Sequence, residues 1–467
     1  MNKEPSLFPD LPEPEAGVAP APSHDRAPRV LTPQRNQIAL RAVDLEATLP
    51  PAHPARAVWA FVEGLDLAAL YHDIGSVEGR AGRAAIDPRV LMALWLYATV
   101  DGVGSAREIE RLSDSHDAYR WICGGVNVNH HTLSDFRCAR VAVLEQLLTH
   151  SVAALLRQGL VKLERVAQDG MRVRASAGAA SFRRRSRLEQ CRQEARNQIE
   201  ALRGELEADP QASQRRRQGA QQRAAESREQ RVNEALKQLT EMEKNKKKKP
   251  APKKDNESEK DHPKRTEPRA SSTDPEARVM KMADGGFRPA YNVQFATTTD
   301  SQIIVGVDVT NSGSDLGQLS PMLEQVQQHH GQRPTEWLVD GGYPRHEDLE
   351  AADAGGTTVY APVPKPKNAT RDPHRPRAKD SVVIGRWRER MGTEAAKRIY
   401  TERAATAECV NAIARGRGLR QFLVRGVRKV KAVALWYALA HNLMRTVALV
   451  PMRANEFFTV PLTPAPA

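Results

Sequence analysis

Between residues 183 and 265 the chain carries 24 Lys/Arg against 15 Asp/Glu and not one Phe, Trp or Tyr. A segment that charged has too little apolar surface to lie inside a sheet. Any strand before it must therefore pair with strands beyond its far end. One such strand is at hand: Leu163 to Arg174 alternates, with Ala167, Asp169, Met171 and Val173 on one side. Strand-like runs resume at Phe287-Arg-Pro-Ala-Tyr-Asn-Val-Gln-Phe-Ala-Thr, turn at Asp300-Ser301 and return through Ile303 to Val309 as a hairpin. A helix from about Leu316 to His330 leads to the strand Glu336 to Asp340. A short helix near Glu347 to Ala352 leads to the strand Thr357 to Val363, and a last helix carries Glu408. Helical crossovers make the later strands parallel, so the expected fold class is α/β: a mixed five-stranded sheet flanked by helices.

Within the charged segment, Leu188, Ile199, Leu202 and Leu206, then Val232, Leu236, Leu239 and Met242, fall at helical spacing on either side of Asp209-Pro210. They predict a helical hairpin followed by a disordered run from Lys246 to Lys264; a solvated charged excursion is the alternative. The segment supplies +9 of a total net charge of +13, and a pI near 9.7 favours polyanions, nucleic acid above all. Apolar stretches are broken well short of a membrane span, and Met1 to Pro28 lacks the blocks of a signal peptide, so neither membrane nor export is expected. Cys123, Cys138, Cys191 and Cys409 show no paired spacing, which fits a reducing cytoplasm.

Ahead of the first strand, residues 1 to about 34 are rich in Pro and poor in apolar periodicity, and are expected to be disordered. From Ala55 to about Leu160 the period is helical. Val58, Trp59, Phe61 and Val62 are followed by the start signal Asp87-Pro88 before Val90, Leu91, Leu94, Trp95 and Tyr97. Ser105 opens a capped helix, and Asn129-His-His-Thr-Leu-Ser-Asp-Phe-Arg137 opens another after Gly124-Gly125. Helix, glycine turn, helix points to DNA, with His131 at the start of that helix and Arg137 within it as candidate contacts. Adjacent His130 and His131 diverge by about 100° and have no third His nearby, which disfavours metal ligation.

Three acids carry the chemistry. Asp169 lies in mid-strand, where a carboxylate is costly unless paired or metal-bound. Asp340 stands where an apolar strand runs out into Gly341-Gly342, and Glu408 lies on a helix. Singly they read as a salt bridge, a turn aspartate and a surface ion pair. Together they form an all-oxygen donor set that suits Mg²⁺, with Mn²⁺ as substitute, for phosphoryl transfer. Around Glu408, Tyr400 and Arg415 fall within about 80° on an ideal helix, with Arg403 about 60° to the other side. From Cys409 to Arg453 there is no acid, while Arg415, Arg417, Arg420, Arg425 and Arg428 accumulate beside the apolar Phe422, Val430, Leu435, Trp436 and Leu439. Ser176, Ser181 and Ser186 lack a His/Asp partner, and no phosphate-binding Gly-Lys loop is present.

Several runs go together: Asp87-Pro88, Thr132-Leu-Ser-Asp-Phe-Arg137, Gln168-Asp-Gly170, Asp284-Gly-Gly-Phe-Arg-Pro-Ala-Tyr-Asn-Val-Gln294, Asn311-Ser-Gly-Ser-Asp315, Val339-Asp-Gly-Gly-Tyr343, Trp387-Arg-Glu-Arg-Met391, and Tyr400-Thr-Glu-Arg403 leading to Glu408. As a set, from about Gln34 to Val450, they resemble the DDE transposases of bacterial insertion sequences, which have an RNase H-like catalytic core. The resemblance implies a metal-binding triad of Asp169, Asp340 and Glu408, with Tyr400, Arg403 and Arg415 as the basic and tyrosine positions that meet DNA. The chain departs from the commoner pattern in two places. Four residues separate Arg403 from Glu408 where many relatives have three, and Arg415 stands where Lys is common. The basic insertion also follows the first strand rather than preceding the last catalytic helix, as it does in several relatives.

The implied layout is a tail (1–34), an all-α DNA-binding domain (35–160), a catalytic domain (161–178 and 276–450) interrupted by the basic helical insertion (179–275), and a tail (451–467). The implied activity is binding of double-stranded DNA at terminal inverted repeats, metal-dependent cleavage and 3′-hydroxyl strand transfer into target DNA. The enzyme would act as a homodimer or larger assembly at the bacterial nucleoid. A structure-specific nuclease and an inactive DNA-binding regulator are the alternatives.

Overall fold

The computed structural model describes residues 42–76, 84–208, 215–248, 267–366 and 371–450. The expected tails 1–34 and 451–467, the Asp209-Pro210 turn and the Lys-rich run beyond 248 lie outside them. Two compact units divide the chain, Met1–Asp44 and Leu45–Ala467; the architecture below is that of the second.

Among the described residues seven α-helices precede the sheet: α1 (Pro54–Glu63), α2 (Ala68–His72), α3 (Pro88–Val100), α4 (Ala106–Ser115), α5 (Asp117–Cys123), α6 (His130–Ala139) and α7 (Val141–Arg157). Local chemistry sets their ends. Asp87 accepts a hydrogen bond from the Arg89 amide at 2.8 Å, with Pro88 in the first turn of α3. Gly124, at φ 54°, ends α5, and Asn129 caps α6 through the Thr132 amide at 2.9 Å. Ser105 stands at the head of α4 as expected, yet its hydroxyl makes no capping bond. Helix α3 is apolar all round and is buried from Val90 to Thr99.

The sheet comprises β1 (Arg165–Arg174), β2 (Arg278–Lys281), β3 (Phe287–Thr298), β4 (Ile304–Thr310), β5 (Glu336–Leu338) and β6 (Thr358–Tyr360). β3 pairs antiparallel with β1 on one edge and with β4 and β2 on the other. β5 lies parallel to β1, and β6 parallel to β5. The mixed sheet expected from the chain order is present, and β2 is a sixth strand beyond it. Four residues, from Arg278 to Lys281, are too short a run to show alternation. In β1, Val166 and Gln168 are as buried as Ala167 and Met171. This central strand is covered on both faces, so its alternation separates two interiors rather than core from solvent.

The charged segment forms the helical hairpin that its spacing predicts, α8 (Arg185–Ala208) against α9 (Arg215–Lys248). Leu188, Cys191, Val232, Ala235, Leu236 and Leu239 make a small separate core with Ala270. Two short strands, Phe182–Arg183 and Ala270–Ser271, pair antiparallel at its base.

Helices α10 (Leu319–His330) and α11 (His346–Ala354) make the crossovers. In place of one final helix there follow α12 (Val382–Gly392), α13 (Glu394–Arg403), a π-helical turn (Ala404–Glu408), α14 (Cys409–Gly416) and α15 (Val427–Leu449). α15 packs against α3, α7 and β4. Its Asn442 exchanges two 2.8 Å hydrogen bonds with the backbone N–H and C=O of Ile304, which satisfies part of the exposed edge of β4. Trp436 stacks near Trp95 and Phe136 at 6.5 and 6.3 Å, so the early helices and the sheet share one continuous core. Among the described residues no single helix is long and apolar enough to cross a membrane.

Candidate active site

The parallel register of β1 and β5 sets Ala167 against Leu338. Two residues further along both chains, Asp169 and Asp340 therefore come side by side. Asp169 is still within β1, opposite Phe295 of β3, while Asp340 lies past the end of β5, where the Gly342 amide donates to its Oδ1 at 2.6 Å. Glu408 arrives from the helical layer. One side chain joins all three: Arg403 Nη2 lies 3.1 Å from Asp169 Oδ1 and 4.0 Å from Asp340 Oδ2, and its Nη1 lies 3.2 Å from Glu408 Oε1. Exposure grades across the set, with the Asp169 side chain 17 % exposed, Asp340 43 % and Glu408 61 %.

The four-residue gap between Arg403 and Glu408 is absorbed by the π turn. A wider turn holds one extra residue, so groups five apart come onto the same face. The ideal-helix expectation that set Arg403 about 60° to the other side of this face, away from Glu408, is corrected accordingly. The turn is braced from the β3–β4 tip, where the Gln302 amide donates to the Ala405 carbonyl at 3.1 Å.

Burial is the largest influence on Asp169 and pushes its pKa up; Arg403 pulls it down, while Asp340 and Asp315 push it up again. For Arg403 burial works against the charge, but the fields of Asp169, Tyr400, Asp340 and Glu408 prevail and its pKa is raised. Tyr400 is half-buried, and burial raises its pKa. Among the described residues no three His, Cys, Asp or Glu side chains are already closed up as a ligand cluster, and the Arg403 guanidinium lies within 4.0 Å of all three acids. The donor set nevertheless fits a hard divalent ion: three carboxylates facing one positive charge, with no sulfur or imidazole.

Asn411 was not singled out from sequence, although it lies one turn beyond Glu408. It is 2 % exposed, and its Nδ2 donates to Asp169 Oδ2 at 2.9 Å. A second polar set, drawn from the quoted motifs, lies against β1. Asp315 accepts hydrogen bonds from Asn292 at 2.6 Å, Gln294 at 2.9 Å and Arg172 at 2.7 Å. Gln294 Oε1 accepts from the Tyr343 hydroxyl at 2.6 Å and from Gln168 at 3.1 Å. The motifs around Asn292, Asp315 and Tyr343 are thus one polar network under the strand that carries Asp169. The Trp387-Arg-Glu-Arg-Met391 motif is a packing device: Trp387 donates to the Ala361 carbonyl at 3.1 Å, and Arg388 forms a buried pair with Asp380 at 2.7 Å.

Arg415 makes no contact with the acids. It lines a cleft of about 640 Å³ that starts at Gly170 and also presents Arg172, Arg174, Lys281, Arg288 and Arg420, with Asp284 paired to Arg288. Such a surface suits a phosphate backbone. Arg137 is not brought to the triad: 7 % exposed, it donates to the Gly104 carbonyl at 2.8 Å and lies 4.7 Å over the Trp95 ring. His131 is exposed at the start of α6, its ring 4.1 Å from that of His130, which pairs with Glu110 at 2.6 Å.

A family model described as a transposase domain matches residues 43–139, over the early helices, and one described as a transposase DDE domain matches residues 265–443. No curated protein and no solved structure matches the chain. The second match contains Asp340 and Glu408; β1, which carries Asp169, lies between the two, cut off from the rest of its sheet by the basic hairpin. With transposase families matched over both its early helices and most of its sheet, the chain belongs to the DDE transposases of insertion sequences.

Proposed function

We propose that this transposase binds double-stranded DNA at terminal inverted repeats, cleaves it, and joins the freed 3′-hydroxyl to target DNA. The observation that carries the reading is the meeting of Asp169, Asp340 and Glu408 around Arg403 beside a basic cleft. The strand order, with β4 outside β3, then β1, β5 and β6, supports an RNase H-like core. Asp169, Asp340 and Glu408 would hold Mg²⁺, or Mn²⁺ in its place, and two such ions would supply charge stabilisation for in-line displacement at phosphorus.

The chain's own groups do the positioning. Asn411 and the network around Asp315 fix the Asp169 strand, and Arg174, Lys281 and Arg415 hold phosphates along the cleft. Arg403 and Tyr400 face the reacting phosphate. His131 and the surface of α6 meet DNA away from the triad, and two copies bring two element ends together. In the first displacement water attacks and the P–O3′ bond at the element end breaks, leaving a 5′-phosphate and a 3′-hydroxyl. In the second the 3′-oxygen attacks a target phosphodiester and releases a target 3′-hydroxyl.

Asp340→Asn is expected to abolish strand transfer of a pre-cut 3′-hydroxyl end, while a gel-shift assay shows DNA binding retained. Full joining activity in that variant would sink the assignment.

A further inference from the structure

Arg403 is only 9 % exposed, yet its side-chain polar contacts among the described residues are confined to the three carboxylates, and its Nε has no partner. Arg388 is a useful contrast: also buried, it is fastened both to Asp380 at 2.7 Å and to the Pro373 carbonyl at 3.3 Å. Among the described residues the acids are thus the only polar partners of the Arg403 fork, and the fork lies within 4.0 Å of all three. One positive charge facing three negative ones leaves the cluster two charges short of neutrality when all are ionised. That deficit is the charge of a divalent ion.

We propose that Arg403 is a resident counter-ion of the triad, held in the metal-free chain where it competes with divalent metal for Asp169 and Glu408. This rests on the reading that Asp169, Asp340 and Glu408 are metal ligands. In the metal-free chain the fork keeps acids on three separate elements from repelling one another: β1, the segment after β5, and the π turn. Metal binding displaces it, and the freed fork, which matches phosphate as well as carboxylate, turns to the DNA backbone. Because the two equilibria are linked, an anion that engages Arg403 strengthens metal binding by the same factor that metal strengthens anion binding. The site would then be charged with metal most readily when DNA is present.

Mn²⁺ alone is the probe, titrated into the full chain and followed by the paramagnetic resonance signal of the free ion, with no turnover involved. Arg403→Gln should bind Mn²⁺ about tenfold more tightly than the unsubstituted chain, the lower end of what an opposite charge within about 4–6 Å is worth. Arg403→Lys, which keeps the charge but loses the fork, should fall between. Without metal, Arg403→Gln should melt at a lower temperature, and Mn²⁺ should raise that temperature by more than it does in the unsubstituted chain. Equal or weaker Mn²⁺ binding by Arg403→Gln, with binding still lost in Asp169→Asn, overturns the counter-ion role while leaving the metal site standing. Unchanged Mn²⁺ binding in Asp169→Asn overturns the metal site and the counter-ion role together. Should Arg403→Gln fail to fold, Arg403→Lys decides, and an unchanged affinity there overturns the proposal.

Discussion

Gly170 has no room for a side chain. A Cβ there would collide with Asp315 Oδ1 and would lie 2.5 Å from Gln294 Nε2 and 2.8 Å from Asn292 Oδ1. The three side chains are bonded to one another beneath β1, Asn292 and Gln294 both donating to Asp315, so making room there means breaking that network. Gly170→Ala is therefore expected to cost about 2 kcal/mol, within the usual range for overpacking. A urea midpoint equal to that of the unsubstituted chain would rule the clash out. Asp169 was readable in the sequence because a carboxylate in the middle of a strand demands a partner. Its partners were not readable: Arg403 and Asn411 are 234 and 242 residues away, and no local pattern links positions that far apart.

The elements that deliver Glu408 depend on the tip between β3 and β4. There Gln302 takes φ 57°, the one positive value for a residue other than Gly among the described residues. Its side chain braces the π turn, while its carbonyl accepts from His441 Nε2 at 2.8 Å. Burial, with Arg417 and Arg445 nearby, lowers the pKa of His441 from 6.5 to about 4, against a smaller opposing effect of the Gln302 carbonyl. The folded chain therefore holds this ring neutral where the unfolded chain protonates it. Between 6.5 and about 4 the unfolded state binds more protons, so stability falls as pH falls through that window. The full loss from this group is about 3 kcal/mol at most. His441→Gln, which keeps an N–H donor, is expected to flatten this part of a melting-temperature profile against pH. Parallel profiles for the two proteins would refute it. Helix periodicity located α13 and α14 as one helix, but it cannot show a π turn, because the wider turn is stabilised by contacts to another element.

Among the described residues, charge is divided between internal pairing and an open cleft. Much of the hairpin's charge is paired within it, as in Arg196–Glu229 at 2.7 Å and Arg228–Glu194 at 3.2 Å. The cleft beside Gly170 instead collects cations from β1, β2, β3 and the end of α14. If that cleft holds the phosphate backbone, Arg174→Ala, Lys281→Ala and Arg415→Ala combined should weaken DNA binding. The slope of log Kd against log salt should also drop by about three, near 0.9 for each phosphate that is no longer neutralised. Fluorescence anisotropy of labelled duplex across a salt series measures both, and an unchanged slope would place the phosphate-binding cations elsewhere.

By itself the sequence determined what local chemistry controls: the strand alternation, the helix starts at Asp87 and Asn129, and the paired helices of the insertion. Each depends on neighbours within a turn or a strand. Tertiary structure alone decided the rest. It fused the early helices and the sheet into one core through α15, which apolar content by itself does not specify. It also turned Arg137 inward onto Trp95, while Arg403 was set among the acids and Arg415 in the cleft. Arginines look alike in a sequence, and which anion each one meets is settled by strand register and by a single wide helical turn.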